Sequence, residues 1–381
     1  MTPDEAPSVA ECQALAGALR CWPTLAALQA SAEWPSLRGR LDAVLATVRR
    51  HVPTHAPAPP ADPTRLRAVQ WNIEHGNAYP RIEAALRTHP ELAGADLVTL
   101  DEVDLGMARS GNRDVAGALA AALRLHAAWA PLFLETTAGR DDDTRNAGGA
   151  MNREALFGLA MLARWPLRDV RLVELPGPER YQFEVERMLG RHLALVARVE
   201  RPGAPFVAVA AHLEIHRTRA HRAAQMRVLL TALHDETRPT ILSGDFNSTT
   251  LERGRGWDTA AGALALLGWP EARLRRRLLW PDRGPDREPL FDALRDAGFD
   301  WEPFVDREPT LSLRFARVPE ARGLLAWPAG RALIRRAERR ARLKLDWFAA
   351  RGWRGGRGAT VPGLDGPGLA SDHAPVVAQF W

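Results

Sequence analysis

The segment Ile241-Leu242-Ser243-Gly244-Asp245-Phe246-Asn247 is an apolar strand that ends in Gly-Asp-x-Asn. A carboxylate and an amide two residues apart at a strand end can face one pocket. Asp245 can accept a proton from water there, and Asn247 can hold that water or a phosphate oxygen. An isolated copy of the motif serves equally well as a turn in which Asp and Asn bond their own backbone.

Four further segments have the same form. Asp96-Leu-Val-Thr-Leu-Asp101-Glu102-Val103 runs an apolar strand into acids. At its end Glu102 offers a hard oxygen to Mg²⁺, which takes one or two carboxylates with water and substrate phosphate. In Val69-Gln70-Trp71-Asn72-Ile73-Glu74, strand alternation puts Gln70, Asn72 and Glu74 opposite Trp71 and Ile73, so Asn72 and Glu74 are placed to enter a polar cleft. His212 closes the strand Val207-Ala-Val-Ala-Ala-His212 and can donate to a phosphate oxygen. Asp372 and His373, just before the last apolar strand, pair a metal ligand with a proton donor. Singly, each is matched by a solvated strand terminus, a polar strand face or a capped loop. Jointly, polar clusters at the ends of apolar strands lie where α/β proteins bind their ligands, and the pattern favours one site.

The elements that must position these residues follow from periodicity. Residues 1–52 are Ala/Leu/Arg-rich, with helical spacing at Val9–Leu19 and Leu37–Val48, and read as a helical extension. Residues 53–63 carry five prolines and read as a linker, so a main domain is expected over 64–381. Strands at Leu66–Ile73 and Asp96–Leu100 alternate with helices at Pro80–Arg87 and Arg113–Leu125. Strands then follow at Ala155–Leu162, Val170–Leu175, His192–Val199 and Phe206–Ala211, with a helix at Arg217–Leu233 and strands at Thr240–Leu242 and Pro375–Phe380. Alternating helices with antiparallel runs imply a mixed α/β sandwich. An insertion at about 248–344 shows helical spacing only at Leu290–Ala297 and Ala332–Arg342, the rest reading as Arg-, Pro- and Trp-rich loop at the border of the site.

Composition narrows the chemistry further. Of 381 residues, 46% are hydrophobic and 25% charged, as in an ordinary folded protein. Cys12 and Cys21 are the only cysteines, which excludes a disulfide framework and a cysteine zinc site, so the chemistry uses oxygen and nitrogen ligands. Asp4, Glu5 and Glu11 stand where a signal peptide carries positive charge, and no apolar stretch reaches membrane-spanning length, so a cytoplasmic protein is expected. Basicity is local. Residues 314–357 hold twelve arginines and Lys344, the chain's single lysine, against three acids, a net of +10, so with +5 overall the remainder carries −5.

The ordered motifs Gln70-Trp71-Asn72-Ile73-Glu74, Leu100-Asp101-Glu102-Val103, His212-Leu213-Glu214, Gly244-Asp245-Phe246-Asn247, Leu345-Asp346-Trp347-Phe348 and Ser371-Asp372-His373-Ala374-Pro375 give the chain its resemblance. It resembles the endonuclease/exonuclease/phosphatase superfamily, over roughly Arg65 to Trp381. The resemblance implies a deoxyribonuclease I-like, four-layer α/β sandwich of two packed mixed β-sheets flanked by helices. It implies a divalent ion, Mg²⁺ or Mn²⁺, with Glu102 as main ligand and Asn72, Glu74 and Asp372 as ligands or their supports. Asp245 then looks like the residue that activates water and Asn247 like the one that positions it. His212 and His373 look like cationic phosphate contacts, and Asp346 like the acid that orients and charges His373. One departure is Phe157-Gly158-Leu159-Ala160, where Leu159 stands in place of the Asn with which many members contact phosphate; another is that neither Tyr79 nor Tyr181 sits in a recognisable motif.

The family hosts several substrates on one scaffold. Arg331, Arg335, Arg336, Arg339, Arg340 and Arg342, shortly before Asp346, suggest nucleic acid, with a solvated arginine face as the alternative. A small phosphorylated molecule or a phospholipid head group is the second reading, for which Trp257, Trp269, Trp280, Trp301 and Trp327 would form a rim if they are not packing anchors. A scaffold that kept the fold and lost catalysis is the third.

Overall fold

The computed structural model describes residues 8–55, 58–60, 62–139, 142–177, 180–181, 187–249, 256–314 and 326–381. The strands are β1 (Arg49–His51), β2 (Leu66–Asn72), β3 (Leu97–Leu105), β4 (His126–Glu135), β5 (Leu156–Ala163), β6 (Leu167–Glu174), β7 (Arg180–Tyr181), β8 (Met188–Gly190), β9 (Leu193–Val199), β10 (Phe206–Ala211), β11 (Thr240–Asp245), β12 (Leu311–Ser312), β13 (Arg342–Leu343), β14 (Asp346–Arg351), β15 (Gly356–Thr360) and β16 (Val376–Phe380). The helices are α1 (Val9–Arg20), α2 (Leu25–Gln29), α3 (Trp34–Leu45), α4 (Tyr79–Thr88), α5 (Val115–Leu123), α6 (Asp142–Ala147), α7 (Arg219–Ala232), α8 (Gly256–Gly268), α9 (Glu271–Leu279), α10 (Leu290–Asp296) and α11 (Pro328–Arg340).

The larger sheet runs β15-β16-β2-β3-β5-β4-β8-β7, with β1 added alongside β4, and the smaller runs β14-β11-β10-β9-β6. Each contains one parallel pair, β2 with β3 and β10 with β11, among antiparallel neighbours. The inner faces meet in one core that includes Leu66, Met161, Leu195, Phe206, Ile241 and Phe348. The larger sheet packs its outer face on helices of the N-terminal half, bringing Leu15 and Leu41 together with Leu100 and Trp129. The smaller packs on α7 and α10 through Met226, Leu229, Phe291 and Leu294. Helix, sheet, sheet, helix is the mixed α/β sandwich expected. Because β10 and β11 are covered on both faces they bury every residue, which is why they read as unbroken apolar runs.

Three features depart from the sequence reading. Of the stretch 1–52, the described residues are helical only as far as Leu45, and the last of them form β1, which pairs Arg49–His51 with Ala127–Trp129 of β4. The ten-residue strand β4 falls where no element was expected, because its His-Ala-Ala-Trp-Ala-Pro run has no two-residue alternation and nine of its ten residues are buried. Within 248–344, α8 and α9 are helices and not loop: Leu274 and Leu278, four apart, form a buried stripe among arginines that themselves favour helix. Helix α10 packs on α7 as part of the main sandwich, so the added lobe is α8, α9, α11 and the β12–β13 ribbon around Leu266, Leu274, Leu278 and Leu343. Residues 315–325 of that stretch lie outside the described residues. Among the described residues no helix is long and apolar enough to cross a membrane.

Candidate active site

Both parallel pairs deliver their C-terminal ends to one edge of the sandwich. Strand β3 breaks register with β5 between Leu100 and Val103, a bulge in which Glu102 adopts φ 55°. The extra residue re-aims the chain, so that consecutive acids part company. Asp101 turns between the sheets and is fully enclosed, while Glu102 lines a cavity of about 260 Å³. At the end of β11, Gly244 has φ 152°, and a Cβ there would lie 1.8 Å from the carbonyl oxygen of Ala211, so only glycine lets β11 run beside β10 up to Asp245.

Asp245 is the hub. Its Oδ1 accepts the N–H of Asn247 at 2.8 Å. Its Oδ2 lies 3.4 Å from Nδ2 of Asn72, 3.8 Å from Nε2 of His212 and 3.9 Å from Nε2 of His373. Burial and then the charge of Asp346 push the Asp245 carboxyl up to about 7. That value suits a group that takes a proton from water near neutrality. Asn247, at φ 48°, donates Nδ2 to the carbonyl of Leu213 at 2.8 Å, which fixes its amide on the cavity wall.

His373 is held from behind. Its Nδ1 and Oδ2 of Asp346 are 2.8 Å apart, and its carbonyl accepts the indole N–H of Trp71 at 2.8 Å. Burial opposes charge on both partners, yet each stabilises the other: His373 is held well above the usual imidazole range and Asp346 below the usual carboxylate range. His212 behaves in the opposite way. Burial, then the imidazoles of His192 and His373, pull it down to about 3, so the pair of cationic histidines expected is one imidazolium and one neutral imidazole.

The fit of a divalent ion rests on Glu102 and Asp372, both on the cavity wall. Burial and then the neighbouring charge of Asp372 push Glu102 up to about 8, and Nδ2 of Asn72 donates to its Oε1 at 3.0 Å. Two carboxylates that hinder each other's ionisation in an enclosed site match a dication. Asp245, Asp346 and His373 also bring one ligand atom each within 4.8 Å of one another and form a second set of donors beside that wall.

Glu74 is displaced from its expected place. Strand β2 ends at Asn72, and Glu74 and His75 take φ 46° and 65°, so the alternation that put Glu74 beside Asn72 stops one residue earlier. Glu74 lines an adjoining groove with Asn77, Arg81 and Arg314, while His75 takes the cavity position with Nε2 3.5 Å from Oε2 of Glu102. Leu159 is buried in the core between the sheets and does not line the cavity, whose wall there is Phe157, stacked on Phe133 with ring centroids 6.1 Å apart. Tyr79 packs beneath Arg113, away from the site, and the side chain of Tyr181 lies outside the described residues.

Sequence reasoning missed Asp101, His75 and His192. Asp101 adjoins Glu102 and His75 follows Glu74, and strand alternation alone does not tell which of each pair faces the cavity. His192 had one available signal, the Glu214 of the His-Leu-Glu motif, whose partner it is.

A family model described as "Endonuclease/Exonuclease/phosphatase family" matches residues 69–373. Among solved structures, an endonuclease/exonuclease/phosphatase from Beutenbergia cavernae is 20% identical, with 83% of this chain and 71% of that chain covered and a TM-score of 0.47. A 3'-5' exonuclease (NExo) from Neisseria meningitidis is 15% identical, with 83% and 100% covered and a TM-score of 0.45. Truncated TDP2 of Caenorhabditis elegans is 13% identical, with 83% and 97% covered and a TM-score of 0.45. No curated protein matches the chain. The family match runs from the strand that carries Asn72 to the loop that carries His373, and so spans the residues that line the cavity: the chain belongs to the endonuclease/exonuclease/phosphatase family.

Proposed function

We propose that the protein is a divalent-metal-dependent phosphodiesterase in which water activated by Asp245 attacks phosphorus. The observation that carries this is Asp245 itself, raised to about 7 and set among Asn72, neutral His212 and cationic His373. Asp245 takes the proton from water and Asn247 orients that water. His373, charged by Asp346, faces the phosphate oxygens, and His212 contacts them as a neutral partner. Glu102 and Asp372 would hold Mg²⁺ or Mn²⁺, with Asn72 steadying Glu102. Bound there, the ion supplies positive charge against the phosphate oxygens. Phosphoryl transfer needs mainly such positioning and charge neutralisation, and no covalent enzyme intermediate is required.

Nucleic acid is the substrate class favoured. The side chains of Arg335, Arg336, Arg339 and Arg342 are exposed and make no ion pair or hydrogen bond to any described residue, a disposition suited to phosphates. They belong to α11 and to β13, whose partner β12 contributes Leu311 to the cavity. Arg331 and Arg340 instead turn back on the lobe, Arg331 to the carbonyl of Ala326 and Arg340 to Glu271 at 3.1 Å. A small phosphoester is the second reading, favoured by the modest cavity and its apolar side of Phe133, Phe157 and Met188. Of the tryptophans, Trp301 is a packing anchor bonded to Asp282, while Trp327 is 68% exposed. The test is a hydrolysis screen with Mg²⁺ or Mn²⁺ on plasmid and abasic DNA, RNA, inositol phosphates, sphingomyelin and a chromogenic phosphodiester, comparing wild type with Asp245→Ala. Turnover of one class that is lost in the variant and in EDTA supports the reading. Activity that survives in either overturns it.

A further inference from the structure

Beside the catalytic cavity lies a groove of about 360 Å³ that the catalytic scheme leaves unused. The two share a wall. Glu74 and His75 are consecutive, with Glu74 in the groove and His75 in the cavity, and Asp142 and Asp143 divide in the same way. Nδ2 of Asn77, on the groove side, donates to Oδ1 of Asp143, on the cavity side, at 3.0 Å. Another wall is formed by Gly366, Gly368 and Leu369, and the N–H of Gly366 donates to the carbonyl of Ser371, next to Asp372.

The charges of the groove do not balance. Arg145 pairs with Asp142, and Arg81 donates to the carbonyl of Leu369 at 3.5 Å. Arg314 is half-buried, yet its side chain makes no hydrogen bond or ion pair to any described residue. Its Nη2 stands 3.9 Å from where a Cβ on Gly366 would lie, which sets the guanidinium against that wall. With Arg145 and Asp142 paired, Arg81 and Arg314 face Glu74 as the remaining carboxylate, and the groove is net positive. A guanidinium that has lost part of its hydration without a counter-charge is matched by a phosphate, which its fork can grip through two hydrogen bonds.

Arg314 follows directly on β12, which is tied down along its length. The N–H of Thr310 donates to the carbonyl of Leu343 at 2.8 Å, and that of Leu313 to the carbonyl of Ala341 at 2.9 Å. Leu311 of the same strand lines the catalytic cavity, three residues before Arg314 and so at most about 10 Å from it along the chain. A nucleic acid strand carries one charge per roughly 3.4 Å of helix axis. When its scissile phosphate occupies the cavity, its next phosphates come within reach of Arg314. We propose that Arg314 binds the phosphate neighbouring the scissile one in a polynucleotide, and so makes the enzyme prefer a strand to an isolated phosphodiester. This rests on the phosphodiesterase reading of the adjoining cavity. Helix α11 leads into β13, the partner of β12, so its exposed arginines belong to the same lobe and suit a polymer that runs on past the groove.

Restoring a single charge tests the assignment. The full-length protein with Mn²⁺ is assayed on an oligothymidylate in which every linkage but the central one is an uncharged methylphosphonate. Two further strands restore the phosphate next to the central one, on its 5′ or its 3′ side, and an unmodified strand serves as reference; only cleavage at the central bond is counted. With one of the two neighbours restored, kcat/KM of the wild type should rise by about 10–100-fold. In Arg314→Gln that rise should vanish, and Arg314→Lys, which keeps the charge and loses the fork, should retain part of it. The rise is a ratio within one preparation, so partial unfolding of a variant does not enter it. No rise in the wild type, or a rise that survives in Arg314→Gln, would overturn the proposal. If the wild type leaves even the unmodified strand uncut, the nucleic acid reading itself falls and this assignment with it.

Discussion

Oδ2 of Asp101 accepts the backbone N–H of Asp245 at 2.7 Å, and so a side chain of the larger sheet holds the catalytic strand of the smaller one. The same oxygen accepts Nε2 of Gln70 at 2.7 Å. Burial, then the charges of Asp245 and Asp346, raise Asp101 well above the usual carboxylate range.

Asp101→Asn keeps an acceptor without charge and should preserve stability, whereas Asp101→Ala strands the buried N–H of Asp245 and should cost about 1–3 kcal/mol. Urea unfolding measures both. An Asn variant as unstable as the Ala variant would show that the acceptor oxygen alone does not hold the strand.

Metal binding should be visible without turnover. At an ion concentration about 100 times Kd, the wild type should gain roughly 2.7 kcal/mol of stability, seen as a rise in Tm with Mg²⁺ or Mn²⁺. Glu102→Ala should abolish the rise; an undiminished shift would place the ion elsewhere.

Asp346→Asn removes the charge behind His373 while keeping its shape. It should lower kcat/KM by about 10²–10⁴ on any ester, through loss of the imidazolium and its orientation. Steady-state kinetics beside a thermal melt decide the point, since a large fall in Tm with little change in rate would make the pair structural.

Glu214 carries a pH signature of its own. Burial raises its carboxyl, but the hydrogen bond and charge of His192 more than offset this and bring it to about 2, against an ordinary 4.5. A folded-state value below the unfolded one means stability that is present above about pH 4.5 and lost as pH falls toward 2, roughly 3 kcal/mol in all. Acid unfolding of Glu214→Gln should be flatter across that window. A curve parallel to wild type would contradict the pairing.

If Arg335, Arg336 and Arg339 face phosphates, replacing all three with Gln should reduce the slope of log affinity against log salt by about 2 for a single strand. Filter binding with Asp245→Asn as background measures it. An unchanged slope would leave these arginines as a solvated face.

Much of the site was legible because its residues close apolar strands whose ends are easily read: Asp245 after β11, His212 after β10, Asn72 at the end of β2. The sequence could not show the bulge at Glu102 or the left-handed turn at Glu74, since both are departures from alternation imposed by neighbouring strands. Alternation carried Glu74 into the cleft and left His75 out, and the structure reverses them. The sandwich itself was readable from the alternation of helices and strands. Strand β4 was not, because burial on both faces erases the period that marks a strand. The His192–Glu214 pair spans 22 residues and joins two elements whose approach depends on the smaller sheet's antiparallel pairing, so no local pattern announces it.

The strand β1 has a practical consequence. The proline-rich stretch after it invites a cut at about residue 64 to make a minimal enzyme. Such a cut would strip Arg49–His51 from β4 along Ala127–Trp129 and leave that length of backbone open at the rim, ready to recruit a strand from another molecule. It would also bare the apolar ground on which Leu15, Leu19, Leu37 and Leu41 rest. A shortened enzyme would be expected in inclusion bodies, and expression trials should keep the first fifty residues attached.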